Sequence, residues 1–448
     1  MTRHASFNVG ADRILFKPVA DLKAYDRNAR THSRKQIRQI AESIERFGFT
    51  NPVLIDEVGM ILAGHGRVEA ARRLKWREVP CLLIGSLSEG EKRAYIIADN
   101  RLAEKAGWDD TILAGELEYL IEDCPDIDVR ATGFSISEID TLIEPGGTDP
   151  ATESEEDDAL PAPEPNRAPV TQTGDIWQLG DHLLACGDAL EKSTYQSLMD
   201  APAQMVFADP PYNVPIDGHV LSKGQNKHRE FAMASGEMTP KEFTRFLQKS
   251  FRHLADHSTD GAIHFICMDW RHVTELLEAG SKVYGAPKNL CVWVKDNGGM
   301  GSFYRSRHEL VFVFRNGDAS HINSFELGQH GRYRTNVWNY RGITSGTKAA
   351  REELAMHPTV KPVAMVADAI KDCSAPGGIV LDAFGGAGTT LIAAEKTRRR
   401  ARLVEIDPVY CDTIIRRWQA FTHEDAVLRS SGETFDDVLM AEAGSRDE

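Results

Sequence analysis

The sequence is poor in cysteine: seven among 448 residues, scattered, with no CxxC pair and no Cys/His spacing of the kind that holds zinc. A disulfide framework and a structural metal are excluded as organising devices, and reduced thiols in a cytoplasmic protein are the expectation. No uninterrupted apolar run approaches the ~20 residues a bilayer demands, and the N-terminus lacks a signal-peptide core, so no membrane partner is expected. There is no internal repeat. The glycine-rich stretch at 385–388 is not followed by a phosphate-gripping lysine, which argues against triphosphate hydrolysis there.

What is present is the composition of a globular protein, 42% hydrophobic and 27% charged. The length favours two compact units. A net charge of -15 argues at first sight against a nucleic-acid partner. Much of that acid, however, is gathered around 153–158 and at the C-terminus, so the sum says little about any one face. Residues 144–170 are rich in Pro, acid and small side chains and read as an extended linker. The division is then 1–143 as a first domain, 144–170 as linker, 171–430 as a second domain and 431–448 as an acidic tail.

In the first domain, residues 33–47 form an amphipathic helix. Ser33 and Gln36 make a capping-box pattern, Ile37, Ile40, Ala41, Ile44 and Phe47 an apolar stripe, and Gly48 the stop. Strands are expected at 52–56 and 60–63, helices at 68–74, from about 88, and at 113–121. The second domain alternates strands (182–186, 205–208, 262–268, 290–294, 310–314, 379–381, 403–406) with helices. The helix at 239–255 carries a Thr239/Glu242 capping box and Pro240 in its first turn. Such alternation implies an α/β fold with a doubly wound, Rossmann-like sheet whose ligands sit at strand C-terminal ends, preceded by a small α+β module.

Asp209-Pro210-Pro211-Tyr212 directly follows an expected strand. The prolines fix a rigid turn, Asp209 and the Pro210 carbonyl offer two acceptors, and Tyr212 offers a face. Two acceptors on the hydrogens of a nucleobase amino group would free a lone pair otherwise delocalised into the ring, and the tyrosine could stack on an extruded base. A second motif, Leu381-Asp382-Ala383-Phe384-Gly385-Gly386-Ala387-Gly388-Thr389-Thr390, runs from strand to helix and lets backbone approach a ligand closely. Its GxG lacks the third glycine of the dinucleotide fingerprint, where Leu391 stands. About twenty residues on, Val404-Glu405-Ile406-Asp407 ends a strand in acid, where a carboxylate can hold ribose hydroxyls.

In the order DPPY, then HPTVKP at 357–362, then LDAFGGAGTT, then VEID, the stretch 173–421 resembles the circularly permuted β class of amino-methylating DNA methyltransferases. The resemblance implies S-adenosylmethionine as cofactor, double-stranded DNA as substrate and Asp209, Pro210, Pro211 and Tyr212 as the catalytic motif. It places Asp382, Phe384, Gly386, Gly388 and Thr389 in the cofactor loop, Glu405 on the ribose, Thr359 and Lys361 at the cofactor's methionine end, and Asp188 near its adenosine. Ala383 departs from the family's usual proline. Tyr-Asn after the prolines resembles the adenine-N6 subtype, with cytosine-N4 as the alternative. Carbon-5 methylation is disfavoured, since Cys81 after Pro80 is the one Pro-Cys pair and lies outside this domain.

Residues 213–238, with Lys223, Lys227 and Arg229, take the place of a flap that closes on DNA. The stretch 316–355, with Arg332, Arg334, Arg341 and the aromatics Tyr333, Trp338 and Tyr340, takes that of the target-recognition element, its arginines reading base edges and its aromatics wedging the duplex. Residues 19–104, with Ala63-Gly64-His65-Gly66-Arg67, PVLID and ADNRLAE, resemble the ParB/sulfiredoxin-like fold. That resemblance implies a phosphate-binding turn at Gly64, His65, Gly66 and Arg67 that could hold a nucleotide or orient a helix with no ligand. No cysteine in the turn supports sulfiredoxin chemistry. A restriction partner and a homodimer are both compatible with the sequence. The rival from another class is a ParB-like DNA-binding regulator with a vestigial methyltransferase domain.

Overall fold

The computed structural model describes residues 14–448 except 86, 106, 125–126, 144–157, 159–167, 215–233, 235, 297, 299–302, 325–333, 343–359 and 445–448. Two compact units result, Met1–Ile143 and Glu144–Glu448.

In the first unit, β1 (Leu15–Pro18), β2 (Val53–Ile55), β3 (Ile61–Ala63) and β4 (Glu78–Leu83) form a mixed sheet in the order β1-β4-β2-β3. Around it lie α1 (Arg34–Phe47), α2 (His65–Arg73), α3 (Glu89–Lys105), α4 (Asp110–Glu122) and α5 (Ile136–Ile143). The Ser33 hydroxyl accepts from Gln36 N, and Gly48, at φ 79°, closes α1 by donating to the Ile44 carbonyl. Helix α2 starts three residues before the expected boundary, because Gly64 adopts φ 101° and draws His65-Gly66-Arg67 into the first turn.

The second unit carries β5 (Ile176–Leu179), β6 (His182–Cys186), α6 (Lys192–Leu198), β7 (Ala203–Ala208), α7 (Pro240–Asp256), β8 (Ser258–Met268), α8 (Val273–Val283), β9 (Asn289–Val294) and β10 (His308–Arg315). These are followed by β11 (Val337–Asn339), α9 (Val363–Cys373), β12 (Ile379–Asp382), α10 (Thr389–Lys396), β13 (Arg400–Glu405), α11 (Pro408–Thr422), β14 (Val427–Leu428) and α12 (Phe435–Gly444). They build one sheet in the order β11-β9-β10-β8-β7-β12-β13-β6-β5-β14, parallel from β8 through β6. Apolar residues of α6, α7 and α8 pack on one face, those of α9, α10 and α11 on the other.

This strand order positions the site. From β7 the chain crosses to β8 on one side, and from β12 to β13 on the other, so a crevice opens between β7 and β12 at the strands' C-terminal ends. Segments 170 residues apart in sequence thereby meet.

Three expectations are corrected. Residues 431–448 are not all solvated tail, because α12 docks by burying Phe435 against Trp177, ring centroids 5.4 Å apart. Burying such a ring contributes roughly 1.5–3 kcal/mol towards ordering the helix. Within 144–170, Asp158 caps α9 by accepting from Val363 N, and Val170 and Thr171 N donate to the Asp412 carboxylate. Part of the recognition stretch 316–355 is built into the sheet, since β11 pairs with β9 and buries Trp338 and Tyr340. Those two rings are core side chains, not duplex wedges.

Candidate active site

Asp209 leaves the end of β7 and Asp382 ends the neighbouring β12. Glu405 ends β13 one strand further, and Gly187 N, just past β6, donates to the Glu405 carbonyl, bringing Asp188 to the same edge. Lys361, just before α9, completes the group.

The loop after β12 is shaped by close packing. Gly386 and Gly388 have φ of 52° and 78°, and a Cβ on Gly388 would lie 3.2 Å from Ile414 carbons. Gly386 N donates to Glu405 Oε2 (2.8 Å), while Arg417 Nη1 donates to the Ala387 carbonyl (2.8 Å). Asp382 accepts from Phe384 N (2.9 Å) and the Thr390 hydroxyl (2.6 Å), and Glu405 Oε1 accepts from Asp407 N (2.9 Å). Thr389 Oγ1 donates to the Lys361 carbonyl, which ties this loop to the HPTVKP segment.

Asp382 and Glu405 are buried, and burial pushes each carboxyl up to about 7 against hydroxyl and backbone N–H donors that oppose it. Buried carboxylates facing a crevice suit a ligand that brings a cation and a pair of hydroxyls. An ammonium for Asp382 and a ribose for Glu405 would fit, which is what the resemblance to the amino-methylating DNA methyltransferases implies of S-adenosylmethionine. Asp188 Oδ1 accepts from Leu190 N, and Phe384 packs against Phe246.

The catalytic motif is embedded in a network only partly foreseen. The Tyr212 hydroxyl donates to Asp209 Oδ1 (2.6 Å), and Lys361 Nζ bonds Asp209 Oδ2. Lys361 also pairs with Glu309 Oε2 (3.2 Å), Lys295 pairs with Glu309 Oε1, and the Lys361 ammonium stands 5.7 Å from the Tyr212 ring centroid. Two carboxylates and two ammonium groups balance in charge. Burial pushes the Asp209 carboxyl up while Lys361 opposes it. Glu309, against the same burial, is held down to about 2 by Lys361 and Lys295. Lys361, expected at the cofactor's methionine end, has its ammonium on the catalytic carboxylate. Glu309 and Lys295 carried no sequence signal beyond charges flanking apolar strands.

Asn213, at φ 53°, binds the far end of the 213–238 segment: Nδ2 donates to the Met238 carbonyl and Oδ1 accepts from Gly236 N and Met238 N. Lys223, Lys227, Arg229, Arg332 and Thr359 lie outside the described residues. Arg341 is exposed. Arg334 is not placed as a DNA contact. Its guanidinium donates to Tyr340 Oη (2.6 Å), Asp368 (2.9 Å) and Asp372 (3.2 Å), bracing β11 against α9. In the first unit Arg67 Nη1 donates to the Asn51 and Pro52 carbonyls, and His65 Nε2 accepts from Tyr25 N, while Gly64 and Gly66 flank the start of α2. Among the described residues no helix is long and apolar enough to cross a membrane.

Comparison with known proteins agrees with this geometry. Residues 203–416 match the DNA methylase family, 8–100 the ParB N-terminal domain, and 111–173 the ParB-methyltransferase helix-turn-helix domain. The last covers helices α4 and α5, which the sequence reading left as unassigned additions. Their stretch 109–143 holds ten acidic residues and one basic, Arg130, whose guanidinium is on Asp128. The ParB-like nuclease domain-containing protein YnaK of Escherichia coli is 51% identical over 18% of this chain and 93% of its own. The DNA adenine methyltransferase YhdJ of Escherichia coli is 26% identical over 54% of this chain and 83% of its own. The type II methyltransferase M.ScaI of Streptomyces caespitosus is 38% identical over 20% of this chain and 30% of its own. The second unit is therefore a member of the DNA methylases that modify base amino groups using S-adenosylmethionine, and the first carries a ParB N-terminal domain.

Proposed function

We propose that the second unit methylates the N6 amino group of adenine in double-stranded DNA, acting on a base turned out of the helix. The observation that carries the reading is Asp209, fixed by two prolines at the end of β7, one strand from the buried carboxylate of β12 and two from that of β13. S-adenosylmethionine, when bound, supplies a methyl group on a sulfonium, an electrophile with a neutral thioether as leaving group.

The chain's own residues prepare the nucleophile. Lys361 and Tyr212 hold the Asp209 carboxylate in one orientation, each taking one lone-pair direction of a different oxygen. The remaining directions accept one amino hydrogen of the base, and the Pro210 carbonyl accepts the other. Nitrogen then loses conjugation with the ring and gains a lone pair aimed into the crevice. Ground-state orientation of this kind replaces an entropic cost that a free collision would carry. Because Asp209 is held as an acceptor, proton loss follows methyl transfer and need not precede it.

Adenine is favoured over cytosine by the Asp-Pro-Pro-Tyr-Asn sequence and by likeness to a protein named as an adenine methyltransferase. The test is mass analysis of nucleosides from unmethylated bulk DNA treated with protein and S-adenosylmethionine. N6-methyladenine supports the reading, and N4-methylcytosine replaces the target base while keeping the mechanism. Protein that neither binds the cofactor nor yields either product leaves the second unit as a vestige in a DNA-binding regulator.

A further inference from the structure

Burial of Trp338 and Tyr340 removes two of the three aromatics expected to enter the duplex, Tyr333 lying outside the described residues, yet two other rings stand open between β9 and β10. Phe303 and Tyr304 are 87% and 80% exposed, more than any other large apolar side chain among the described residues. They contact each other edge to face, centroids 4.5 Å apart and planes at 66°. Leaving two adjacent aromatic rings in water is unfavourable unless something covers them during function.

Their place in the fold says what. They lie between β9 and β10, on a hairpin whose neck is pinned where the catalytic network ends. Lys295 N donates to the Arg307 carbonyl (2.8 Å), and Arg307 Nε and Nη2 return bonds to the Lys295 carbonyl (3.1 and 2.9 Å). The Lys295 ammonium binds Glu309, which in turn faces Lys361 and the Tyr212 hydroxyl. The rings therefore sit on a loop whose neck joins, through Lys295 and Glu309, the ion-pair network of Asp209. From 297 to 308 there is no acidic residue, and Arg305, Arg307 and His308 are exposed. This local chemistry complements a polyanion with π faces and runs opposite to the chain's net charge of -15.

We propose that Phe303 and Tyr304 engage the base stack of the substrate duplex beside the target base, with Arg305 and Arg307 directed at the flanking phosphates. Turning a base out leaves a gap and an unstacked neighbour, and a ring placed there offsets the lost stacking. The inference rests on the reading of the second unit as an enzyme that acts on an extruded base.

The test uses the full chain with Phe303→Ala and Tyr304→Ala combined, assayed for methyl transfer to unmethylated genomic DNA of mixed sequence. The expected result is a fall in kcat/KM on the order of tenfold or more, the scale of a lost base–aromatic stack. S-adenosylmethionine affinity and the thermal midpoint should not change, since neither ring packs in the core. A second variant, Phe303→Tyr with Tyr304→Phe, keeps both π faces and should methylate as the unmodified protein does. A double-alanine variant that methylates equally well overturns the proposal, as does a tyrosine–phenylalanine variant as impaired as the alanine one. An unmodified protein that binds cofactor and methylates no DNA overturns the reading beneath it.

Discussion

Replacing Lys361 by methionine keeps its bulk and removes its charge. The ammonium is 4% exposed and stands between Asp209 and Glu309, which are 21% and 15% exposed. Removing one partner of a buried ion pair costs about 3–5 kcal/mol, because the other charge is left without compensation. Without the ammonium, two carboxyls that already repel each other lose the charge that holds them ionised, and both are pushed up. Asp209, which burial already pushes up, should then keep a proton to higher pH than in the unmodified protein and lose an acceptor site while protonated. The acid limb of kcat in Lys361→Met should therefore be displaced to higher pH, climbing about tenfold per pH unit until Asp209 ionises. Radiolabelled methyl transfer across a pH series, with cofactor affinity measured beside it, reads this directly. Unchanged cofactor affinity with a shifted limb supports the assignment of Lys361 to Asp209. A profile parallel to that of the unmodified protein, accompanied by lost cofactor binding, would refute it and return Lys361 to the cofactor's methionine end.

Three other outcomes follow from the same geometry. Asp382 and Glu405, both raised to about 7 by burial, must be ionised to accept an ammonium and ribose hydroxyls. Affinity for S-adenosylmethionine should thus weaken as pH falls below about 7, not below the ordinary carboxyl range near 4, as calorimetry would record. Arg334→Met should lower stability to urea by about 3–5 kcal/mol, because it removes the buried cation that pairs with Asp368 and Asp372, while folded protein keeps its DNA affinity. Asn213→Gly tolerates the positive φ and loses three hydrogen bonds, so kcat/KM should drop, with a stability change of about 1–3 kcal/mol or less. An Asn213 variant with unchanged kcat/KM would show that fixing the ends of the 213–238 segment is irrelevant to turnover.

Much of the site was legible because the chemistry is local in sequence. Asp209-Pro-Pro-Tyr212 and the Asp382–Thr390 loop each follow an apolar strand, and the continuous apolar runs at 205–208 and 379–381 located both strands. What was not legible depends on long-range register. That Glu309 faces Lys361 requires β10 to pair with β8 and β9, which no local pattern dictates. Arg334 looked like a DNA contact because its neighbours are cationic and aromatic, whereas its acidic partners Asp368 and Asp372 lie over thirty residues on, in a helix that was not expected. The acid of residues 431–448 masked Phe435, Val438 and Leu439, whose spacing marks the face that docks.

The most direct test of the central claim compares unmodified protein with Asp209→Ala, each shown to bind S-adenosylmethionine, on the same unmethylated DNA. The account predicts a methylated base amino group in the first sample and none above background in the second. Equal methylation by both would contradict it, since the amino group would then be activated without the carboxylate around which the site is built.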